Sequence, residues 1–368
     1  MWMESSYRGA VIPFAQVLPQ DEYLHAVPAD APFDHVETNL YGFNIPAENI
    51  NSNIYVLWHP VLHTMSIHVF VHRGARVLPH QLAADYFNEH LYLPAVTDNR
   101  DWRANLGSCT VRFTVLEPLR QIRIECADSQ RQFALRLECR AALPPVGRPG
   151  GKHFTQLMRT SGQLRLDGRA HVIDGFYMRD RSWSYRRPEA PERMPPYRWM
   201  TGWFGDDCAF VVAWLDTGLL GVREFGEAWA GGDSAHRETT QAQRLNAENT
   251  QRLNAENKWE SGGPTPSVNF RSGWIAVDGV PRPIVRMSVR TRLDAESRLQ
   301  TREIELELED ERGERHRIRG ETISVIPKLY WGNLLTYMHF MRLTCGQRTG
   351  HGDLMDTYST LHIVRVGI

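Results

Sequence analysis

Lysine is almost missing from this chain. Of its 42 basic residues only Lys152, Lys258 and Lys328 are lysine, and the rest are arginine. None of the three falls in a strand that reads as a pocket wall, so Schiff-base and pyridoxal chemistry are not expected. Cysteine is sparse as well. Cys109, Cys126, Cys139, Cys208 and Cys345 are odd in number and far apart. No pair has C-x-x-C spacing, which excludes the familiar zinc and dithiol sites and points to a reducing compartment. The chain also has no phosphate-binding loop, no G-x-G-x-x-G, no G-x-S-x-G elbow and no H-E-x-x-H, so neither a cofactor nor a metal is expected. No apolar run reaches the length of a membrane span, and "MWMESSYRGAVIPFAQVLPQ" lacks the basic and apolar regions of a signal peptide. The expectation is a cytoplasmic protein without membrane insertion. A net charge of −1 offers no electrostatic footprint for nucleic acid.

What the sequence does hold is β-pattern. "MSIHVFVHR" (65–73), "CTVRFTVLE" (109–117), "QFALRLECRAAL" (132–143), "AFVVAWLD" (209–216) and "IVRMSVRTRL" (284–293) are short, β-branched or aromatic, and bounded by turn residues. Helical periodicity is scarce. "PHQLAADYFNEHLYL" (79–93) is the best helix candidate, and "KLYWGNLLTYMHFMRL" (328–343) reads as helix or strand. An all-β chain of two antiparallel barrels or sandwiches with few short helices is therefore predicted. At 368 residues the chain exceeds one typical core. The Pro/Gly cluster "ALPPVGRPGGKH" (142–153) suggests a division into 1–150 and 151–368. The heptapeptide "QRLNAEN" occurs at 243 and 251 within a polar stretch, which reads as a duplicated surface insertion at 231–266. "REIELELEDERGERHRIRG" (302–320) alternates glutamate with aliphatic residues and reads as a hairpin with one solvated face.

Chemistry concentrates in "GFYMRDRSWSYRR" (175–187). With a two-residue period Tyr177, Arg179, Arg181 and Trp183 share one face, and Met178, Asp180, Ser182 and Ser184 the other. A buried Asp180 beside arginine would stay ionised, which suits a base or an electrostatic role better than an acid. The bland alternative is that Asp180 pairs with neighbouring arginines and Trp183 plugs a barrel end. Downstream, "PPYRWMTGWFGDD" (195–207) adds Tyr197, Trp199 and Trp203. These aromatics line either an apolar cavity or the core. His59, His63, His68 and His72 lie close together without a Cys or carboxylate at ligand spacing, so they are not read as a metal site. His351 sits between Gly350 and Gly352, where a backbone can approach a ligand closely.

The stretch Gly175–Arg186, "G-x-Y-x-R-D-x-S-W-[GS]-x-R", resembles the signature of the double-calycin superfamily, which holds carotenoid 1,2-hydratases and kievitone-hydratase-like proteins. The usual form there is closer to D-H-x-W-G, and Arg181 and Ser184 depart from it. "RTGHGDLMDTYS" (348–359) resembles the Gly-rich strand closing the second barrel in that superfamily, with Asp356 near the usual acid. "ETNLYGFNIPAENINSNIYVLWHP" (37–60) resembles the opening of bacterial members. The resemblance implies two tandem lipocalin-like barrels. It also implies a cofactor-independent lyase or isomerase, a hydratase or dehydratase acting on a hydrophobic terpenoid, polyketide or aromatic compound. In that scheme Asp180 or Asp356 moves a proton, with His351 or Tyr177 assisting. Arg179 or Arg181 holds an oxygenated substrate group, and Trp183, Tyr197, Trp199 and Trp203 wall a cavity between or within the barrels, lined mainly by the second half. A hydrophobic small molecule is thus the expected partner, and a homo-oligomer is left open. The competing readings are a lipocalin-like carrier with no chemistry, and a partner protein that uses the 231–266 insertion as its contact surface.

Overall fold

The computed structural model describes residues 2–8, 12–33, 35–92, 99–185, 196–216, 268–295, 297, 299–330, 334–360 and 363. The insertion at 231–266 and Arg186 lie outside the described residues. Every long element is an antiparallel strand, arranged in two sheets. The first sheet runs, edge to edge, Ala84–Tyr92, Thr64–Arg73, Ile50–His59, His35–Tyr41, Arg169–Tyr185, His153–Leu166, Phe133–Ala141, Gln121–Asp128, Cys109–Glu117 and Asp101–Leu106. It curls into a barrel that is nearly closed between its two edge strands. The second sheet closes completely. Val280–Leu293, Val268–Val277, Ala209–Asp216, Tyr197–Trp203, Arg348–Ser359, Leu334–Cys345, Arg315–Tyr330 and Thr301–Asp310 form an eight-strand ring, because the last pairs again with the first. Trp2–Arg8 pairs antiparallel with residues Arg286 to Arg292 of Val280–Leu293.

Alternation in the sequence builds both barrels. In Thr64–Arg73, Met65, Ile67, Val69 and Val71 enter the first core, while Ser66, His68, Phe70 and His72 turn the other way. Met200, Phe210, Val212, Trp214, Met287, Leu306, Met341, Leu343 and Leu354 fill the second barrel. Side chains therefore occupy its interior, as in small closed barrels generally. The glutamate hairpin forms as expected: Ile304, Leu306 and Leu308 are buried, and Glu305 and Glu309 pair outside with Arg290 and Arg315.

Two expectations are corrected. The stretch 79–93 is not a helix but a single 3-10 turn, Pro79–Gln81, followed by the strand Ala84–Tyr92. Ala84 and Tyr86 face the core while Asp85 and Phe87 do not, a two-residue period. The proposed division at residue 150 falls inside the first sheet, since His153–Leu166 and Arg169–Tyr185 pair with strands from the first half. After Trp2–Arg8, which pairs into the second sheet, the chain stays in the first sheet from His35 to Tyr185 and re-enters the second at Tyr197.

The barrels meet through a third apolar cluster drawn from both. Leu40, Leu143, Leu157 and Met178 pack against Trp199, Trp203, Val211, Trp274 and Phe340. Polar pins cross the seam. Trp274 Nε1 donates to Thr155 Oγ1 at 2.8 Å, and the backbone of Val325 exchanges hydrogen bonds with Ala75 and Val77.

Candidate functional site

The charged strand Arg169–Tyr185 directs its arginines into sealed surroundings. Arg179 is fully buried and donates to both carboxylate oxygens of Glu22, at 2.7 and 3.0 Å. Its guanidinium lies over the rings of Tyr41 and Phe154. Arg181, equally buried, donates to Glu37 and to the Tyr23 carbonyl and lies over Trp58 and Trp183. Burial alone would raise the Glu37 carboxyl, but hydrogen bonds from His25 and the Arg181 charge hold it below the ordinary range. Each guanidinium is thus held by a buried carboxylate, with only its Nε left without a hydrogen-bond partner. Trp183 is half-buried and stacks on His25 at 4.2 Å. Asp180 pairs with His153 at 2.5 Å on the opposite face.

Asp356 is also enclosed, inside the second barrel. Its Oδ2 accepts from Thr301 Oγ1 at 2.6 Å and lies 3.2 Å from His339 Nε2, and its Oδ1 is 3.4 Å from Arg198 Nε. Burial works to raise its pKa, yet the Arg198 charge and the His339 and Thr301 hydrogen bonds leave it lowered. Those partners favour its charged form.

A small recess of about 20 Å³, room for about one water molecule, lies between the barrels. The first sheet contributes Asn44, Asn51, Ser52, Asn53, Phe70, His72 and Tyr177, and the second Met338, Phe340, Asp353 and Met355 among others. Both barrels thus line it, where the sequence had suggested mainly the second half. Gly42 makes the recess possible: a Cβ there would lie 2.5 Å from the Tyr177 ring, so glycine lets that ring pass over the strand toward the seam. Asn53 Nδ2 donates to Tyr177 Oη at 3.4 Å, and Tyr177 meets Trp203 with ring centroids 6.2 Å apart.

Asp353 is the unusual member. Among the described residues no cation and no hydrogen-bond donor pairs with its carboxyl. Burial alone raises its pKa to about 7. Part of its surface remains accessible; that surface faces the recess, while protein surrounds the rest. Opposite it, Asn44 Nδ2 and Oδ1, Asn51 Oδ1, Ser52 Oγ and Asn53 Oδ1 are buried without a hydrogen-bond partner. Buried polar atoms are nearly always satisfied by protein, water or ligand, so this concentration marks a place built to receive polar atoms. His351 shares Asp353's strand face and stacks on Phe340 at 5.3 Å; burial, then Arg342, lowers its pKa.

Of the residues singled out from the sequence, Tyr177 lines the recess, Trp203 and Trp199 pack in the seam beside it, and Tyr197 is partly buried at its edge. His351 is two residues from Asp353. Asp180, Asp356, Arg179, Arg181 and Trp183 are elsewhere, in separate polar clusters. Sequence reasoning missed Asp353 and the three asparagines. Strand parity carried the signal: residues 351, 353 and 355 share a face, and 356 points the other way.

A family model described as "Domain of unknown function (DUF7064)" matches residues 18–262. Among curated proteins no sequence matches. Three solved structures are similar along nearly the whole chain. One is a Nitrosomonas europaea protein of AttH type, 14% identical, with 94% of this chain and 97% of that one covered and a TM-score of 0.54. Kievitone hydratase from Nectria haematococca is 8% identical, with 97% and 98% covered and a TM-score of 0.51. CghA is 10% identical, with 97% and 99% covered and a TM-score of 0.52. At these identities the likeness concerns the fold, and it agrees with the tandem-calycin architecture described above.

Proposed function

This chain belongs to the DUF7064 family, and we propose that its inter-barrel recess adds water to, or removes it from, an apolar, oxygen-bearing small molecule without a cofactor. The observation that carries this reading is Asp353, an unpaired carboxyl raised to about 7 at the wall of a recess rimmed by unsatisfied asparagines. A general acid works best with a pKa near the working pH, and apolar burial without a nearby cation is the environment that produces one. In hydration, protonated Asp353 delivers its proton to an alkene carbon. Water positioned by Asn44, Asn51 and Asn53 attacks the resulting electron-poor carbon and releases a proton. Dehydration is the reverse, and addition and loss of the proton at different carbons gives isomerisation. The ring faces of Phe70 and Phe340 can stabilise the cationic stage, and Tyr177 fixes the orientation of Asn53. Similarity in fold to a protein named a hydratase supports the reaction class, and terpenoids, polyketides or aromatic phenols are the substrate classes this reading takes.

The carrier reading finds less support, because among the described residues side chains fill the second barrel's interior. The test is a panel of such compounds incubated in H₂¹⁸O or D₂O and followed by mass spectrometry. Isotope should enter one class with the native protein, and Asp353→Asn should slow it by about a hundredfold or more. Saturable binding with no isotope entry would leave a carrier, and undiminished turnover by Asp353→Asn would remove the acid.

A further inference from the structure

Beside the recess, Lys328 lies in the seam with two partners that bear on its protonation. Its Nζ is 3.2 Å from His68 Nε2 and 3.9 Å from Asp85 Oδ1, and it sits 4.8 Å over the Phe70 ring. His68 uses the same nitrogen, Nε2, toward Asp85 at 2.6 Å. That sharing constrains the protons. If Lys328 were an ammonium donating to Nε2, that nitrogen would present its lone pair to a carboxylate 2.6 Å away. If Nε2–H donates to Asp85, both contacts are satisfied only when the Lys328 amine is neutral. Burial acts in the same direction: Lys328 is 9% exposed, and desolvation lowers its pKa more than Asp85 raises it. His72, the next titratable group along the strand, is held near 4 by burial and then by Lys328, so it stays neutral.

We propose that Lys328 is an amine nucleophile that forms a Schiff base with an aldehyde or ketone carried on an apolar molecule. The wholly buried Phe70 ring beneath the amine keeps it in an apolar setting, and the partly exposed Asp85 marks the solvent side of approach. The Nζ lone pair attacks the carbonyl carbon and the carbonyl π pair moves to oxygen, which takes a proton. The carbinolamine then loses water as the C–O bond breaks and the C=N bond forms; nitrogen gives up two protons in all, and His68 and Asp85 relay both to the oxygen, which leaves as water. One carbonyl and one amine give one imine and one water, with no oxidant or reductant. Phe70 adjoins the proposed hydration recess, but the inference does not rest on Asp353.

A chain with only three lysines makes the test direct. Native full-length protein is incubated at pH 7 with limiting cinnamaldehyde and cyanoborohydride, and the reduced adducts are mapped by peptide mass spectrometry. Adduct on Lys328 is expected to exceed that on the exposed Lys152 by about tenfold or more, because an ordinary lysine is almost wholly protonated at this pH. The preference should survive in Asp353→Asn and fall in His68→Phe. Labelling of Lys152 or Lys258 ahead of Lys328, with Lys328 modified only after denaturation, would overturn the proposal.

Discussion

Two aspartates three residues apart on the strand Arg348–Ser359 hold protons in opposite ways, and the cause is what surrounds each carboxyl. Asp356 faces Arg198, His339 and Thr301 inside a barrel, and those partners outweigh its burial. Asp353 is desolvated with nothing to offset it. A carboxyl raised by folding contributes stability below its unfolded pKa and loses it as the pH rises through the folded value. For Asp353 that window runs from about 4 to about 7, with a slope of at most about 1.4 kcal/mol per pH unit. Asp353→Asn should therefore remove that slope and leave the protein no less stable at pH 8, as read by urea unfolding at several pH values. Asp356 has the opposite sign, with stability that is present at neutral pH and lost on acidification. The buried pair Arg181–Glu37 belongs to the same scale. Glu37→Gln strands a fully buried guanidinium and should cost on the order of 3–5 kcal/mol in denaturation, whereas replacing both partners by apolar residues should cost much less.

At the scale of elements, the period of two decided what the sequence could and could not tell. The strands, the glutamate hairpin and the clustering of Tyr177, Trp199 and Trp203 near one another were legible because alternation and aromatic density are local properties. The fate of "YMRDRSWS" was not. Arg179 and Arg181 are satisfied by Glu22 and Glu37, more than 140 positions away, and no local pattern announces such a partner. Asn within a strand reads only as weak β-propensity, and the meaning of Asn44, Asn51 and Asn53 lies in the convergence of their unsatisfied amides. Glycines on the closing strand are legible in hindsight. A Cβ on Gly350 would lie 1.9 Å from the Trp203 carbonyl oxygen, so Gly350→Ala must push two paired strands apart. Its melting temperature should fall by several degrees, while Gly313→Ala, which meets nothing within 4 Å but has a positive φ, should show only a small backbone penalty.

For the molecule as a whole, neither barrel owns the recess. The asparagines come from the first sheet and Asp353 from the second, so the proposed chemistry requires the two to be held in register. Trp274 Nε1 to Thr155 Oγ1 and the Val325 backbone pins provide that register beyond apolar contact. Trp274→Phe should lower stability by about 1 kcal/mol through the lost hydrogen bond. The barrels should still unfold in one calorimetric transition, because the shared cluster couples them. Tryptophan reporters follow from the same geometry. Ligand quenching should be lost in Trp203→Phe and retained in Trp183→Leu, since Trp183 stacks on His25 away from the recess.

The most direct measurement is the titration of Asp353 itself, by carbon-13 NMR of protein labelled at the aspartate carboxyls, with Asp353→Asn used to assign the resonance. One carboxyl titrating near 7, absent from the variant, is the expected result, and it needs no knowledge of the substrate. A lost resonance that titrates in the ordinary range near 4 would contradict the account, because Asp353 would then be an anion at neutral pH with no proton to give.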